Sequence, residues 1–588
     1  MNMKKSHILV IITVAVLGIV GSCKEDFLNI TPNGSLDVSV MGSQEGIDGL
    51  LIGCYAVLDG TANYTTWESA GSNWVFGEIR GLVANKGTDA ADQPAINPIQ
   101  SYTEETTNSY INTKWVTLYE GISRCNNVIV VAAKSLEDGK ITQAAHDSFV
   151  AQARALRGFY HFEAWRMWGK IPYIDETMDP LTVGNSTDVR ASIIADLKAG
   201  ADNLPINMGQ IGRFNKTVCQ VFLAKAMMQM NNDYAGALPL LQEVKTSGKN
   251  PKGDAIGLHP NYGEIFMIEN RNNSEAVYTV QYSVNDGAGS ANAGYPEILN
   301  FPYSNGPGGC CGFYSPTQEY VNSFRTSGGL PLLDYSYNND ANAVKSDQGV
   351  AATDPFTEDT GPLDPRLDWS AGRRGIPYFD WGLHGGNSWI RQQSYAGPYS
   401  PKKQVYKKSQ ERVLTDVTNW TNGVTANGYR MIRFADVLLL LAECQIETSD
   451  LAGARTNINL VRARAANSAG WVKEADGVTN AANYVISEYP LTGYPFDTQA
   501  NARLALRMER KLELGMEGHR WFDLTRWGVA QSEGNRVLDY ETSKTPWGKN
   551  GDMYLQGKAR IGAEDLWYPL PQRQIDLMGG VLAQSDGH

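Results

Sequence analysis

The sequence predicts a mainly α fold, a scaffold of helical hairpins with a large loop-rich insertion that carries the binding surface. Two observations predict it. Apolar residues recur every three or four positions in two separated zones, the period of a helix with one buried face. Between those zones the chain becomes rich in Gly, Pro, Asn, Asp, Tyr and Trp, a composition that breaks helices. Long loops without regular structure are uncommon unless they carry function, so ligand contacts are expected there.

Residues 1–22 read as a leader. Lys4 and Lys5 precede an apolar stretch, Ile8–Val20, which is shorter than the about 20 residues a spanning helix needs. Val20-Gly21-Ser22-Cys23 then puts small residues before a cysteine, the pattern a lipoprotein signal peptidase cleaves. Cys23 is the expected lipidation site, and acyl chains there would anchor a soluble body to a membrane. The rest, 23–588, is expected to form one unit. Its first helical zone runs from about 46 to 245. Trp115–Ala133 is one helix, and Phe149, Ala153, Leu156, Tyr160, Ala164 and Trp168 mark one face of the next. Thr217–Met230 and Tyr234–Val244 form a hairpin across a short polar turn. The insertion spans about 250 to 428, where Glu275–Tyr282 alternates like a strand. A second helical zone, about 429 to 530, opens with Phe434–Ile446 and Leu451–Ala465 around the break at Thr448-Ser449-Asp450. An irregular C-terminal segment follows. Repeated hairpins with small residues such as Ala435, Ala442 and Ala454 suggest tetratricopeptide-like packing.

Composition narrows the function. The net charge of -12, with no Lys/Arg run, argues against a nucleic-acid partner. No G-x-S-x-G elbow, H-E-x-x-H pair or phosphate loop is present, so no catalytic residue is assigned. Glu513, Glu517, Arg520, Asp523 and Arg526 fall near helical spacing and read as ion pairs between helices rather than as a glycosidase carboxylate pair. Cys54, Cys125, Cys219 and Cys444 sit in apolar helical patterns and read as small core hydrophobes. The loop from Ala84 to Pro94 carries Asp89 and Asp92 but fits no calcium-loop pattern, so neither a metal nor a cofactor is expected.

Several stretches, in order along nearly the whole chain, resemble one family. They are Cys23-Lys24-Glu25-Asp26-Phe27-Leu28; Ala153 to Tyr160 with Trp168-Gly169-Lys170-Ile171-Pro172; Pro316-Thr317-Gln318-Glu319-Tyr320-Val321; and Asp364-Pro365-Arg366-Leu367. Arg433 to Leu439, Glu509 to Leu524 and Trp567-Tyr568-Pro569-Leu570-Pro571 continue the series. Together they resemble the SusD/RagB family of Bacteroidetes outer-membrane lipoproteins. The resemblance implies a helical fold with tetratricopeptide-like hairpins. It also implies capture of glycans, or in some branches peptides, and delivery to a SusC-like TonB-dependent transporter over which the protein sits as a lid. It implies an outer-membrane, lipid-anchored protein exposed at the cell surface. A surface glycoside hydrolase is the less favoured alternative.

A sugar is held by stacking a flat apolar surface on its ring and meeting its hydroxyls at the edge. Aromatic residues in loops are therefore the candidates. Tyr64, Trp67 and Trp74 lie in a polar stretch; Tyr295, Tyr303, Phe313 and Tyr314 bracket a Gly-rich segment; Tyr378, Trp381, Trp389 and Tyr395 flank another. The ligand-binding set is Trp67, Trp74, Tyr295, Tyr303, Tyr314 and Trp389, together with Cys310 and Cys311. Large rings also pin loops to a scaffold, so at least two of the set are expected to reach ligand. By analogy with the family, the loops Trp67–Trp74 and Tyr303–Tyr314 are favoured. Adjacent Cα atoms lie about 3.8 Å apart, below the disulfide window of about 4.4–6.8 Å. Cys310 and Cys311 are therefore two free thiols, cysteines paired elsewhere, or a distorted vicinal pair offering a flat apolar patch, and these readings stay open.

Overall fold

The computed structural model describes residues 41–60, 66–543 and 559–585, with 545, 555, 587 and 588. The leader, Cys23 and Tyr64 lie outside them. The first zone contains α1 (Gln44–Tyr55), α2 (Ser109–Glu137), α3 (Gln143–Trp168), α4 (Arg190–Asn203), α5 (Lys216–Asn231) and α6 (Tyr234–Ser247). Helix α2 is longer at both ends than the periodicity predicts. Its start is set by Asn108, whose side chain accepts from the Tyr110 and Ile111 N–H groups, satisfying donors that a helix start leaves bare. Thr142, Asn215 and Asp233 cap α3, α5 and α6 in the same way.

Each helix packs on the next, α2 on α3, α3 on α4, α4 on α5 and α5 on α6. Glycines let these pairs approach closely. A Cβ on Gly121 would stand 2.6 Å from the Tyr160 ring, and one on Gly200 would stand 2.6 Å from both Ala155 and Cys219. The predicted α3 face is fully inside, from Phe149 at 7% to Leu156 at 0% exposure. Arg157 of α3 makes a bidentate pair with Asp196 of α4 at 2.7 and 2.9 Å, satisfying both buried groups. Cys54, Cys125, Cys219 and Cys444 are free and buried.

The second zone opens with a strand, not a helix. Ala84–Gly87 (β1), Ala276–Val280 (β2), Phe313–Pro316 (β3) and Tyr429–Arg433 (β4) pair antiparallel as β1 with β3 and β4 with β2. The predicted strand at 275–282 is buried on both faces, because β4 and the helices enclose it. After β4 come α7 (Phe434–Glu447), α8 (Leu451–Ala465), α9 (Gln499–Leu514), α10 (Arg520–Arg526) and α11 (Ala530–Ser543). Helix α7 packs on α6, on α8 and on α9, so the second zone continues the stack begun by the first. Residues 466–498 are irregular, which shortens the predicted helical content of this zone.

A buried charge network joins the insertion to this layer. Arg366, Lys403, Arg433, Arg462 and Arg464 meet Glu275, Asp364, Glu509, Glu513 and Glu517, five of each sign. Arg366 of the insertion reaches Glu509 at 2.6 Å and Glu513 at 3.0 Å on α9. Asp523 likewise pairs with Arg510 and Arg526. These carboxylates are structural, as the helical spacing suggested. The C-terminal segment returns to the first layer, where Trp168 Nε1 donates to the Pro569 carbonyl at 3.1 Å. Among the described residues no helix is long and apolar enough to cross a membrane.

Candidate functional site

The candidate aromatic residues divide by burial. Trp74 is 1% exposed, Tyr314 6% and Trp389 4%. None of these three presents a ring face to solvent, which corrects the expectation that placed them on the ligand surface. Trp74 meets Tyr314 edge-on with centroids 5.8 Å apart, and both line an internal cavity of about 20 Å³, room for one water. Burial pushes Glu297 in that cavity's wall up to about 7. Trp389 packs under the loop at 301–306 in a small core with Phe301 and Tyr378. Its carbonyl accepts the Tyr303 N–H at 2.9 Å, so it positions Tyr303 from beneath.

Three other rings are linked side by side. Trp67 sits in a short turn, Thr66–Glu68, fastened to α2 by Thr113 donating to Glu68 at 2.7 Å. Its ring stacks on Tyr295, with centroids 6.2 Å apart and planes 19° apart. The Tyr295 hydroxyl accepts from Trp420 Nε1 at 3.0 Å. Trp420 is 56% exposed, while Trp67 and Tyr295 are half-buried. Trp420 did not figure among the sequence candidates. Its surroundings, Thr418-Asn419-Trp420-Thr421-Asn422-Gly423, carried the signal, since a lone indole in a polar turn has no apolar neighbours in sequence to pack on.

The Gly-rich segment lies directly beside this face. Thr421 Oγ1 and the Asn422 N–H both donate to the Gly308 carbonyl, at 2.7 and 3.0 Å. The chain then reaches Cys310 and Cys311, which form a disulfide, so the paired reading is the one the fold adopts. Cys310 is half-buried and Cys311 is 4% exposed, so only the first can meet a ligand. β1 and β3 seat this segment, and the Thr88 N–H donates to the Gly312 carbonyl at 2.6 Å.

Beyond the disulfide, Tyr303 is 37% exposed, and Arg391 lies 5.3 Å from its ring centroid. Arg391 was also absent from the sequence candidates. It pairs with Asp89 at 2.9 Å and Asp92 at 2.6 Å, so the two carboxylates of the 84–94 loop are engaged by a guanidinium. Lys86 donates to the Ala90 and Asp92 carbonyls and ties the same loop down, and burial pulls it down to about 8. Among the described residues no group of His, Cys, Asp or Glu could hold a metal ion. The arrangement therefore offers flat rings, a disulfide edge and hydroxyl or amide groups, which is the chemistry of ring stacking with hydrogen bonds around it.

Stacked helical hairpins carrying a broad loop-built face define the class of this molecule. A family model described as the SusD family matches residues 274–588, and a second, described as starch-binding associating with outer membrane, matches residues 26–228. The chain belongs to the SusD/RagB family. It is 22% identical over 434 residues to SusD-like protein P25 of Formosa agariphila, covering 71% of this chain and 70% of that one. A solved SusD superfamily protein from Bacteroides vulgatus superposes with a TM-score of 0.63 at 19% identity, over 93% of this chain and 99% of that one. A solved laminarin binding SusD-like protein gives 0.63 at 19% identity, over 93% and 100%. Surface glycan-binding protein A from Bacteroides thetaiotaomicron, in complex with laminarihexaose, gives 0.59 at 19% identity, over 92% and 99%.

Proposed function

We propose that the protein captures an oligosaccharide on the face formed by Trp67, Tyr295 and Trp420, with Cys310 and Tyr303 extending it, and catalyses no reaction. The observation that carries this reading is the stacked Trp67–Tyr295 pair with Trp420 hydrogen-bonded beside it and open to solvent. Rings held at fixed angles cost little entropy on binding, because their orientation is set before ligand arrives. The named binding of laminarin and laminarihexaose by similar folds supports the same ligand class. The protein is a lipoprotein anchored through Cys23 at the outer-membrane surface, and it delivers its ligand to a SusC-like TonB-dependent β-barrel. Family membership supports both statements. Calorimetry against a glycan panel that includes laminarin and starch tests the capture. Saturable binding to one glycan class is expected, and failure of every glycan alongside binding of peptides would replace this reading with peptide capture.

A further inference from the structure

Helices α9, α10 and α11, with residues 333–337, enclose a pocket of about 310 Å³ that shares no residue with the aromatic face. That volume lies at the lower end of small-molecule sites. Four cations line it, Arg507, Lys511, Arg520 and Arg536. Two carboxylates answer them. Glu319 pairs with Lys511 at 2.5 Å and Arg536 at 2.6 Å, while Glu533 pairs with Arg536 at 2.8 Å and reaches Arg520 at 3.4 Å. Four cations thus share two directly paired carboxylates, with Glu443 attracting Arg507 from outside the pocket wall.

Two of the four cations keep unused donor capacity. Arg507 has neither an ion pair nor a hydrogen bond through its guanidinium to any described residue, and its guanidinium carbon lies 5.3 Å from the Trp527 ring centroid. Arg520 is 7% exposed, and its Nη1 is buried with no hydrogen-bond partner. Its guanidinium lies on the same indole, at 5.9 Å. Burial, together with the Arg503 and Arg520 charges and against the pull of Glu443, lowers the Arg507 guanidinium from its ordinary range. A buried N–H without an acceptor, such as Arg520 Nη1, is costly, and an oxyanion that accepts from it and from the half-buried, unpaired Arg507 guanidinium relieves that cost. Trp527 and Tyr335 give the pocket flat apolar walls.

We propose that this pocket is a second binding site, for a small organic carboxylate whose acid group sits between Arg507 and Arg520 and whose body lies against Trp527 and Tyr335. The site is independent of the aromatic face and stands whether or not that face binds glycan. The test is calorimetry of the full chain with D-glucuronate and benzoate, beside glucose and inorganic sulfate, at constant ionic strength. One carboxylate is expected to bind one-to-one while glucose does not. Glucuronate as the winner gives a sugar-acid ligand, and benzoate gives a hydrocarbon acid. Arg507→Gln and Arg520→Gln should each weaken binding by about tenfold or more, the usual cost of a lost charged hydrogen bond. Trp420→Ala should leave it unchanged. Arg507 holds no ion pair, so its replacement strands no partner and the test does not depend on the Arg520 variant folding. Binding by neither carboxylate, saturation by sulfate alone, or affinity indifferent to Arg507→Gln would overturn the proposal.

Discussion

Trp420→Ala separates ligand contact from fold more cleanly than any other substitution in the aromatic face. The indole leaves 56% of its surface to solvent. On a tryptophan of roughly 250 Å² that is about 140 Å². A sugar ring lying on one side covers about half of this, about 70 Å², worth roughly 1.8 kcal/mol at about 25 cal/mol per Å². The dissociation constant should therefore rise about twentyfold. The substitution also frees the hydroxyl of the half-buried Tyr295. An exposed side chain costs about 0.5 kcal/mol or less of stability when removed, so the melting temperature should hardly move. The assay is calorimetry on the glycan that wild type binds best, with thermal melting alongside. An affinity within about threefold of wild type, for Trp420→Ala and Trp67→Ala alike, is too small for a stacking platform and would refute the reasoning.

The remaining predictions concern the body that holds the face. Glu513→Gln leaves Arg366, Arg433 and Arg464 short of a shared buried acceptor, so it should cost about 3–5 kcal/mol in urea unfolding; a wild-type midpoint and slope would show the network to be dispensable. Glu541 is pushed up to about 8, by burial first and by the Glu319 charge as well. Its folded form keeps a proton that the unfolded chain has released, so this group's stabilisation is present at low pH and is lost as pH rises from about 4.5 to 8, by up to about 1.4 kcal/mol per pH unit. Glu541→Gln should therefore gain on wild type in melting temperature between pH 6 and pH 9, and a constant difference across that range would contradict the assignment. Gly77→Ala would place a Cβ 2.0 Å from the Gly518 carbonyl oxygen, and it should destabilise by about 1–3 kcal/mol or more; a melting curve matching wild type would show that the two segments can part.

The scaffold was legible because burial in a helix leaves a periodic trace. Phe149, Ala153, Leu156, Tyr160, Ala164 and Trp168 are all inside, as their spacing required. The loop face was legible only as a composition. An aromatic residue in a Gly-rich stretch is equally suited to pinning the loop or to facing solvent, and no local pattern separates the two. Trp389 pins and Tyr303 faces out, yet they sit in similar surroundings in sequence. What decides is a partner far along the chain. Trp420 is placed by Tyr295, 125 residues away, and Arg366 by Glu509, 143 residues away. The adjacent cysteines show the same limit, since spacing left several states open and only the folded loop selects among them.

The aromatic face also explains why the layers are fastened so heavily. Trp67 comes from the segment matched by one family model, and Tyr295 and Trp420 from the segment matched by the other. Neither segment can make the face alone, so its geometry is only as fixed as the packing between them. One carboxylate joins them close to the face. Glu78 Oε1 accepts the backbone N–H groups of Glu517, Gly518 and His519 at 3.2, 2.9 and 3.0 Å. Glu517 is itself paired with Arg433 at 2.7 Å and Lys403 at 2.8 Å in the buried network. The run from Trp74 to Ile79 thus ties the Trp67 turn to the charges that hold the insertion. A charge network is a poor source of net stability, because desolvation offsets most of its attraction. Its directional bonds do fix one register of loop against helix, and a stacking surface assembled from two segments depends on that register.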